Sequence, residues 1–200
     1  MFFSLDGVDG VGKSTQINLF CRWLEESGRS VVTCRDPGTT VLSEAIRNLL
    51  LSKQHAGMSR RTEMLLYMAA RSQLVSEVIR PALQNDKVVV SDRYLLANVA
   101  YQGYGGQLDV QSIWELGKLA TDNILPHMTF ILDMDGDAAS RRIQRDKDRM
   151  ECQGDEFRER VRQGYLSEAE RCPDQIVVID ANREIDKIQA DIQQAASRIL

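Results

Sequence analysis

The chain has few residues of the kinds that carry disulfide, metal or redox chemistry. Its four cysteines (Cys21, Cys34, Cys152 and Cys172) stand far apart with no CxxC pair, and only His55 and His127 accompany them. No Cys/His metal constellation can be assembled from that set, and reduced thiols in a cytoplasmic setting are the simplest expectation. An excess of positive charge is also missing, since 25 basic residues against 29 acidic ones leave a net charge of −4. A general nucleic-acid or membrane-surface binder would be basic, so neither partner is expected. No apolar run approaches the roughly 18 residues of a membrane span. The opening stretch Met1–Asp6 has no basic region and runs straight into a glycine loop, so it reads as a first strand rather than a secretion signal.

Short apolar runs of strand length alternate with longer segments of helical period. The expected strands are Phe2–Asp6, Ser30–Cys34, Lys87–Asp92, Met128–Met134 and Gln175–Asp180. The expected helices are Ser14–Ser27, Val41–Leu51, Arg60–Gln84, Val110–Asn123, Asp137–Arg145, Phe157–Arg171 and Glu184–Ile199. Nearly continuous apolar strands alternating with helices predict one α/β domain over residues 1–200. Its five-stranded parallel sheet would be covered by helices on both faces, in three layers. A chain of this length buries roughly 70–75% of its unfolded surface and needs no disulfide or metal staple. Ligands of such sheets sit beyond the carboxyl ends of the strands, which directs attention to the segments just after each one.

The first such segment, Gly7-Val8-Asp9-Gly10-Val11-Gly12-Lys13-Ser14, fits GxxxxGK[ST] and lies between a strand and a helix, the context this motif demands. Its glycines let backbone N–H groups converge on phosphate oxygens, and the helix start adds a positive end. Lys13 would bridge the β- and γ-phosphates of a nucleoside triphosphate, and the Ser14 hydroxyl would ligate Mg²⁺. Asp92, at the end of the third strand, stands where the second metal-site carboxylate of such enzymes is found. An acid at Asp9 repels what the loop attracts. It makes sense if it meets a sugar hydroxyl or the metal; otherwise it points outward into solvent.

Further pieces follow the other strands. Arg35-Asp36-Pro37-Gly38-Thr39-Thr40 follows the second and Asp92-Arg93-Tyr94 the third, with Asn98, Tyr101 and Gln102 just beyond. Tyr67 and Arg71 are four apart and share a helix face, where an aromatic plate beside a fork of N–H donors suits a base with exocyclic carbonyls. Arg142, Arg145 and Arg149 fall on one helical face by their spacing, in the basic stretch after the fourth strand. Read one at a time, these residues allow plainer roles. Tyr67 would be core, Arg71 would pair with Glu63 or Glu77 on the surface, and Arg93 would be an ordinary ion-pair partner. Asn98 and Tyr101 would be loop residues, and the arginine stretch a solvated helix.

Taken in order and spacing, these pieces resemble the thymidylate kinase family over essentially the whole length. The resemblance rests on Asp9–Thr15, Arg35–Thr40, Ala69-Ala70-Arg71-Ser72-Gln73-Leu74, Asp92-Arg93-Tyr94 and Ala100-Tyr101-Gln102-Gly103. It implies an ATP-dependent transfer to dTMP, giving dTDP and ADP, by a homodimer with Mg²⁺. ATP would lie on Gly7–Thr15 under a lid of about residues 141–156 bearing Arg141, Arg142 and Arg145. By the same resemblance, Tyr67 stacks on thymine, Arg71 donates to its O4, and Asn98 bonds near N3. Tyr101 lies under the sugar and disfavours a 2′-hydroxyl, and Asp9 meets the 3′-hydroxyl. Arg93 and Arg47 hold the acceptor phosphate, and Asp36, Pro37 and Gln102 complete the pocket. Catalysis would fall to Lys13, Arg93, Arg145 and Asp9.

Two departures from the family pattern stand out. Ala97 occupies a place where relatives commonly carry Ser. Gly10 stands where some relatives have an arginine, so the cation that meets the transferring group is expected from the lid, Arg145 above all. Another monophosphate or nucleoside kinase of the same architecture is the nearest rival. A nucleotide-dependent switch would leave Asp92-Arg93-Tyr94 and the arginine stretch without a task, and the chain has no NKxD-like motif for guanine.

Overall fold

The computed structural model describes residues 1–142 and 148–200. Its strands are β1 (Phe2–Asp6), β2 (Val31–Arg35), β3 (Val88–Asp92), β4 (Met128–Asp133) and β5 (Ile176–Asp180). They form one parallel sheet in the order β2-β3-β1-β4-β5. The three inner strands are buried almost throughout, while the edge strands β2 and β5 expose alternate residues. The helices are α1 (Lys13–Glu26), α2 (Val41–Leu51), α3 (Arg60–Leu74), α4 (Arg80–Gln84), α5 (Leu95–Asn98), α6 (Val110–Ala120), α7 (Gly136–Arg141), α8 (Asp155–Arg171) and α9 (Ile185–Ala196).

Strand alternation divides the core in two. Phe3 and Leu5 pack with Phe20 and Leu24 of α1, Tyr165 of α8 and Ile192 of α9. Phe2 and Val89 pack on the other face with Met68 and Leu74 of α3, with Val99 just after α5, and with Ile113 of α6. The α2 helix is held against α3 through Ile46, Leu50 and Ala70.

Two elements differ from the sequence expectation. The helix expected over Arg60–Gln84 is two helices, α3 and α4, joined by a π-helical turn at Val75–Ile79. The widened turn comes just before Pro81, which has no N–H to give to a preceding carbonyl and crowds the turn behind it. The segment after β3, expected as a loop, is helical: α5 runs into a second π-helical turn at Val99–Gly105. Leu95–Ala100 are all buried, so no polar face marks them as helix in the sequence. The turn lies tight against α8, where a Cβ on Gly105 would come within 2.7 Å of Val161 and 2.8 Å of Phe157.

Register sets up the functional edge. Leu5 and Arg35 both pair with Asp92, so the chain leaves β1, β2 and β3 at one level. The glycine loop, the turn that begins at Asp36, and Arg93 therefore emerge side by side at the carboxyl end of the sheet.

Candidate active site

The glycine loop turns at Gly10 and Gly12, both at positive φ, and delivers Lys13 into the first turn of α1. That helix start has no side-chain cap and no acid in its first turn, which leaves its N–H groups to an anion. Lys13 is buried, and its Nζ donates to the carbonyls of Gly7 (3.1 Å) and Val8 (2.9 Å). Burial draws its pKa down, while the carboxylates of Asp9, Asp92 and Asp6 act to keep the charge. Val8 and Val11 turn their side chains into the core, so only their backbone can serve a ligand.

Gly10 has a second reason to be glycine. A Cβ there would lie 2.1 Å from the carbonyl oxygen of Ala139 in α7. With α7 in this position a longer side chain is excluded, which accounts for the absence of a loop arginine.

A cleft beside the loop is lined by Asp9, Gly10, Gly12, Lys13, Ser14, Thr15 and Asp92, with Arg35 and Arg142 at its sides. Arg141 is exposed at the end of α7. Arg145 lies outside the described residues. Arg149 departs from the expected common face with Arg142. It is buried, its Nε donates to the Leu50 carbonyl at 2.6 Å, and its Nη1 lies 2.5 Å from the Glu63 carboxylate. α7 has ended before this point, and the segment is anchored against α2 and α3 instead.

A second cleft, of about 570 Å³, opens between α2, α3 and the helical stretch after β3. Asp36, Pro37, Arg47, Tyr67, Arg71, Asn98, Tyr101 and Gln102 line it, together with Asp9 and Arg93. All ten residues expected around the acceptor are thus brought together. Leu51, Ala97, Asp148 and Met150 complete the wall. Tyr67 belongs to core and cleft at once, packing on the Ile46 and Leu50 cluster with part of its surface left to the cavity.

Arg71 is not the surface ion-pair partner that its sequence neighbours suggested. It is 1% exposed and donates from Nε to Asp36, from Nη1 to Asn98 Oδ1 (3.0 Å) and from Nη2 to the Tyr94 carbonyl (3.4 Å). Glu63 pairs instead with Arg149 and Arg60, and Glu77 accepts from Gln73.

Arg93 stands on the wall between the clefts, held in the left-handed region at φ 66°. Its Nη1 donates to the Gly7 carbonyl (2.8 Å) and the Tyr165 hydroxyl (3.2 Å), and its Nη2 to Asp9 (2.6 Å) and the Tyr101 hydroxyl (3.3 Å). Its guanidinium also lies over the Tyr101 ring, 5.1 Å from the centroid. Asp9 is therefore paired, with Lys13 3.7 Å from the same carboxylate oxygen, rather than turned outward.

Two groups beneath this wall went unnoticed in the sequence. Tyr165 comes from α8, 72 residues after Arg93, and no local signal marks it. Asp6 was legible as an acid ending an apolar strand before the glycine loop. It is fully buried, accepting from Ser4 Oγ at 2.5 Å and from the Tyr165 hydroxyl at 3.4 Å. Burial pushes its pKa up to about 6, against the hydrogen bond from Ser4 and the charges of Arg93 and Lys13.

This shift predicts a pH dependence of stability. Between an unfolded pKa near 3.8 and the folded value of about 6, the folded state holds the extra proton. Stability from this group is thus highest below the lower value and falls as pH rises to the upper one. The span corresponds to roughly 2–3 kcal/mol. Asp6→Asn should raise the melting temperature at pH 8 and leave it little changed at pH 4. An equal shift at both pH values would remove Asp6 as the titrating group.

The comparisons with known proteins agree with this geometry. The family model described as thymidylate kinase matches residues 5–192. A thymidylate kinase of Bifidobacterium longum subsp. infantis is 45% identical over 200 residues, spanning 96% of this chain and 86% of that protein. One from Symbiobacterium thermophilum is 41% identical and spans 100% of this chain and 94% of its own. The crystal structure of thymidylate kinase from Ehrlichia chaffeensis superposes with a TM-score of 0.82 at 32% identity, covering 98% of both chains.

Proposed function

We propose that this chain, which belongs to the thymidylate kinase family, transfers the γ-phosphoryl group of ATP to dTMP across the wall its two clefts share. The observation that carries the residue assignments is that Asp9, Asp36, Arg47 and Arg93 line both clefts. A donor on the glycine loop and an acceptor in the second cleft would then meet at those residues with their phosphates facing. Transfer of this kind needs positioning and charge neutralisation more than covalent help.

In this reading the α1 start, Lys13 and Thr15 hold the triphosphate. Arg47 and Arg93 hold the acceptor phosphate and aim it in line. Arg93 also cancels the charge of Asp9, which leaves that carboxylate to accept from the acceptor's 3′-hydroxyl. Tyr67 and the Tyr101 ring sandwich the nucleoside, and Arg71 and Asn98 read the base edge. The segment from Arg141 to Glu156 acts as a lid, with Arg142 and Arg145 closing on the donor and excluding water.

Ser14 and Asp92 are suited to hold Mg²⁺. They line the donor cleft together, and Asp92 Oδ1 is buried with no hydrogen-bond partner among the described residues. Such an ion would keep most of its shell as water and phosphate oxygens and neutralise charge on the latter.

Association into a homodimer is supported by exposed apolar side chains on adjoining helices. Val41, Leu42 and Leu49 stand out from α2 and Leu65 from α3. A monomer in sedimentation equilibrium at micromolar concentration would count against it. Among the described residues no helix is long and apolar enough to cross a membrane. Cys21 and Cys34 are buried thiols pushed by burial up to about 11 and about 12, so both stay protonated. These features are compatible with a cytoplasmic setting, and recovery of the activity in an extracytoplasmic fraction would argue against it.

The test is an ADP-release assay with ATP and Mg²⁺ over a panel of monophosphates. Turnover should be greatest with dTMP, lower with dUMP because one methyl contact is worth ~1–3 kcal/mol, and poor with purines. No turnover with dTMP would remove the proposal. Equal turnover of the ribose and deoxyribose forms would remove Tyr101 as the gate against a 2′-hydroxyl.

A further inference from the structure

The buried polar chain behind the acceptor cleft has a polarity fixed at both ends. Arg71 begins it and, as a guanidinium, can only donate. Its Nη1 donates to Asn98 Oδ1 at 3.0 Å, Asn98 Nδ2 donates to Gln102 Oε1 at 2.6 Å, and Gln102 Nε2 donates to Glu63 Oε1 at 2.8 Å. Glu63 ends it, 0% exposed, with Arg149 2.5 Å from its Oε2 and Arg60 3.7 Å from its Oε1. The Arg149 contact is an ion pair rather than an aligned hydrogen bond. Between two guanidiniums and an amide, Glu63 stands as a carboxylate that can only accept.

Two amides between a pure donor and a pure acceptor have one arrangement that satisfies every link. Turning either amide would set donor against donor or acceptor against acceptor, in a place where all four side chains are at most 2% exposed. Asn98 is therefore obliged to keep its carbonyl oxygen toward Arg71. Arg71, Asn98 and Gln102 line the cleft, whereas Glu63 is absent from its wall.

We propose that Glu63 is a positioning residue that sets which pyrimidine the cleft accepts. Resting on the reading of this cleft as the dTMP site, the consequence follows from base chemistry. Thymine presents a carbonyl acceptor (O4) beside an N–H donor (N3), which complements an arginine donor beside a fixed amide acceptor. Cytosine presents the opposite pair, an amino donor beside a bare ring nitrogen, and meets a mismatch at both atoms. Through Gln102, a carboxylate that never touches the base holds that acceptor in place.

Glu63→Gln retains the size of the side chain and lets it donate as well as accept, which releases the amides to turn. With the full chain, ATP and Mg²⁺, kcat/KM would be measured for dTMP and for dCMP. The preference for dTMP should shrink at least tenfold. The loss on dTMP should lie mainly in KM, with KM for ATP unchanged. A fall by the same factor on both substrates would mean a structural role only and would overturn the proposal. Gln102→Met leaves the Glu63–Arg149 pair in place and cuts the chain at its middle. It should reduce the preference in the same way, and it decides the matter alone if Glu63→Gln does not fold. An unchanged preference in Gln102→Met overturns the proposal. Failure of the unsubstituted chain to phosphorylate dTMP would instead overturn the assignment of the cleft.

Discussion

Replacing Lys13 with Met should lower kcat on dTMP by about a thousandfold while the melting temperature stays within a few degrees of its starting value. The two halves of this expectation have different sources. The side chain is buried along its length, and its Nζ is held by the carbonyls of Gly7 and Val8 at the mouth of the donor cleft. Met fills the same channel with an apolar stem, so little packing is lost, and the cost of keeping an ammonium out of water disappears. On the proposed mechanism, what is lost is a positive charge that would follow the phosphoryl group as its charge spreads in the transition state. A preorganised donor of this kind is worth roughly 3–4 kcal/mol to a transition state. Steady-state turnover at saturating ATP and dTMP reads the effect directly. A variant that retained a tenth of the activity would place Lys13 outside the transfer step.

The second large effect is expected at Arg93. Arg93→Met should lower kcat/KM for dTMP by about a thousandfold, and unlike the change at Lys13 it should also destabilise the fold, by roughly 3 kcal/mol. Arg93 closes the floor of both clefts through Gly7, Asp9, Tyr101 and Tyr165. Without it, the Asp9 carboxylate keeps only Lys13, 3.7 Å away, as a counter-charge, and fully buried Asp6 loses the strongest of the charges that favour its ionised form. Breaking a partly buried ion pair from one side costs more than removing both partners. Asp9→Asn in the Arg93→Met background should therefore recover part of the lost stability without recovering turnover. Thermal melts of the two single variants and the double variant give the coupling. If Arg93→Met raised KM for ATP and left dTMP kinetics untouched, Arg93 would belong to the donor side alone.

These expectations draw unequally on sequence and fold. The glycine loop was legible because its signature is contiguous: spacing, strand before and helix after all lie between Phe2 and Glu26. The strands were legible because a sheet buried on both faces demands unbroken apolar runs, and their observed ends differ from the expected ones by at most a residue. The helical stretch Leu95–Gly105 was hidden for the same reason in reverse. Burial on every side removes the polar face that would betray a helix, and the widened turn follows contacts with α8 rather than any local preference. Arg149 was misplaced because spacing assumed a helix that α7 does not continue, and its partner Glu63 lies 86 residues earlier in the chain.

By itself, then, the sequence determined the sheet, the phosphate loop and the set of side chains available for an acceptor, since each is written in short-range pattern. Only the tertiary structure decided who holds whom. Arg71 binds Asp36 and Asn98 instead of a neighbour on its own helix, Tyr165 reaches Arg93 across the sheet edge, and α7 leaves Gly10 no room for a side chain. Pairings of that kind depend on which carboxyl ends parallel packing sets side by side, and on buried polar groups that must find partners wherever the fold has brought them.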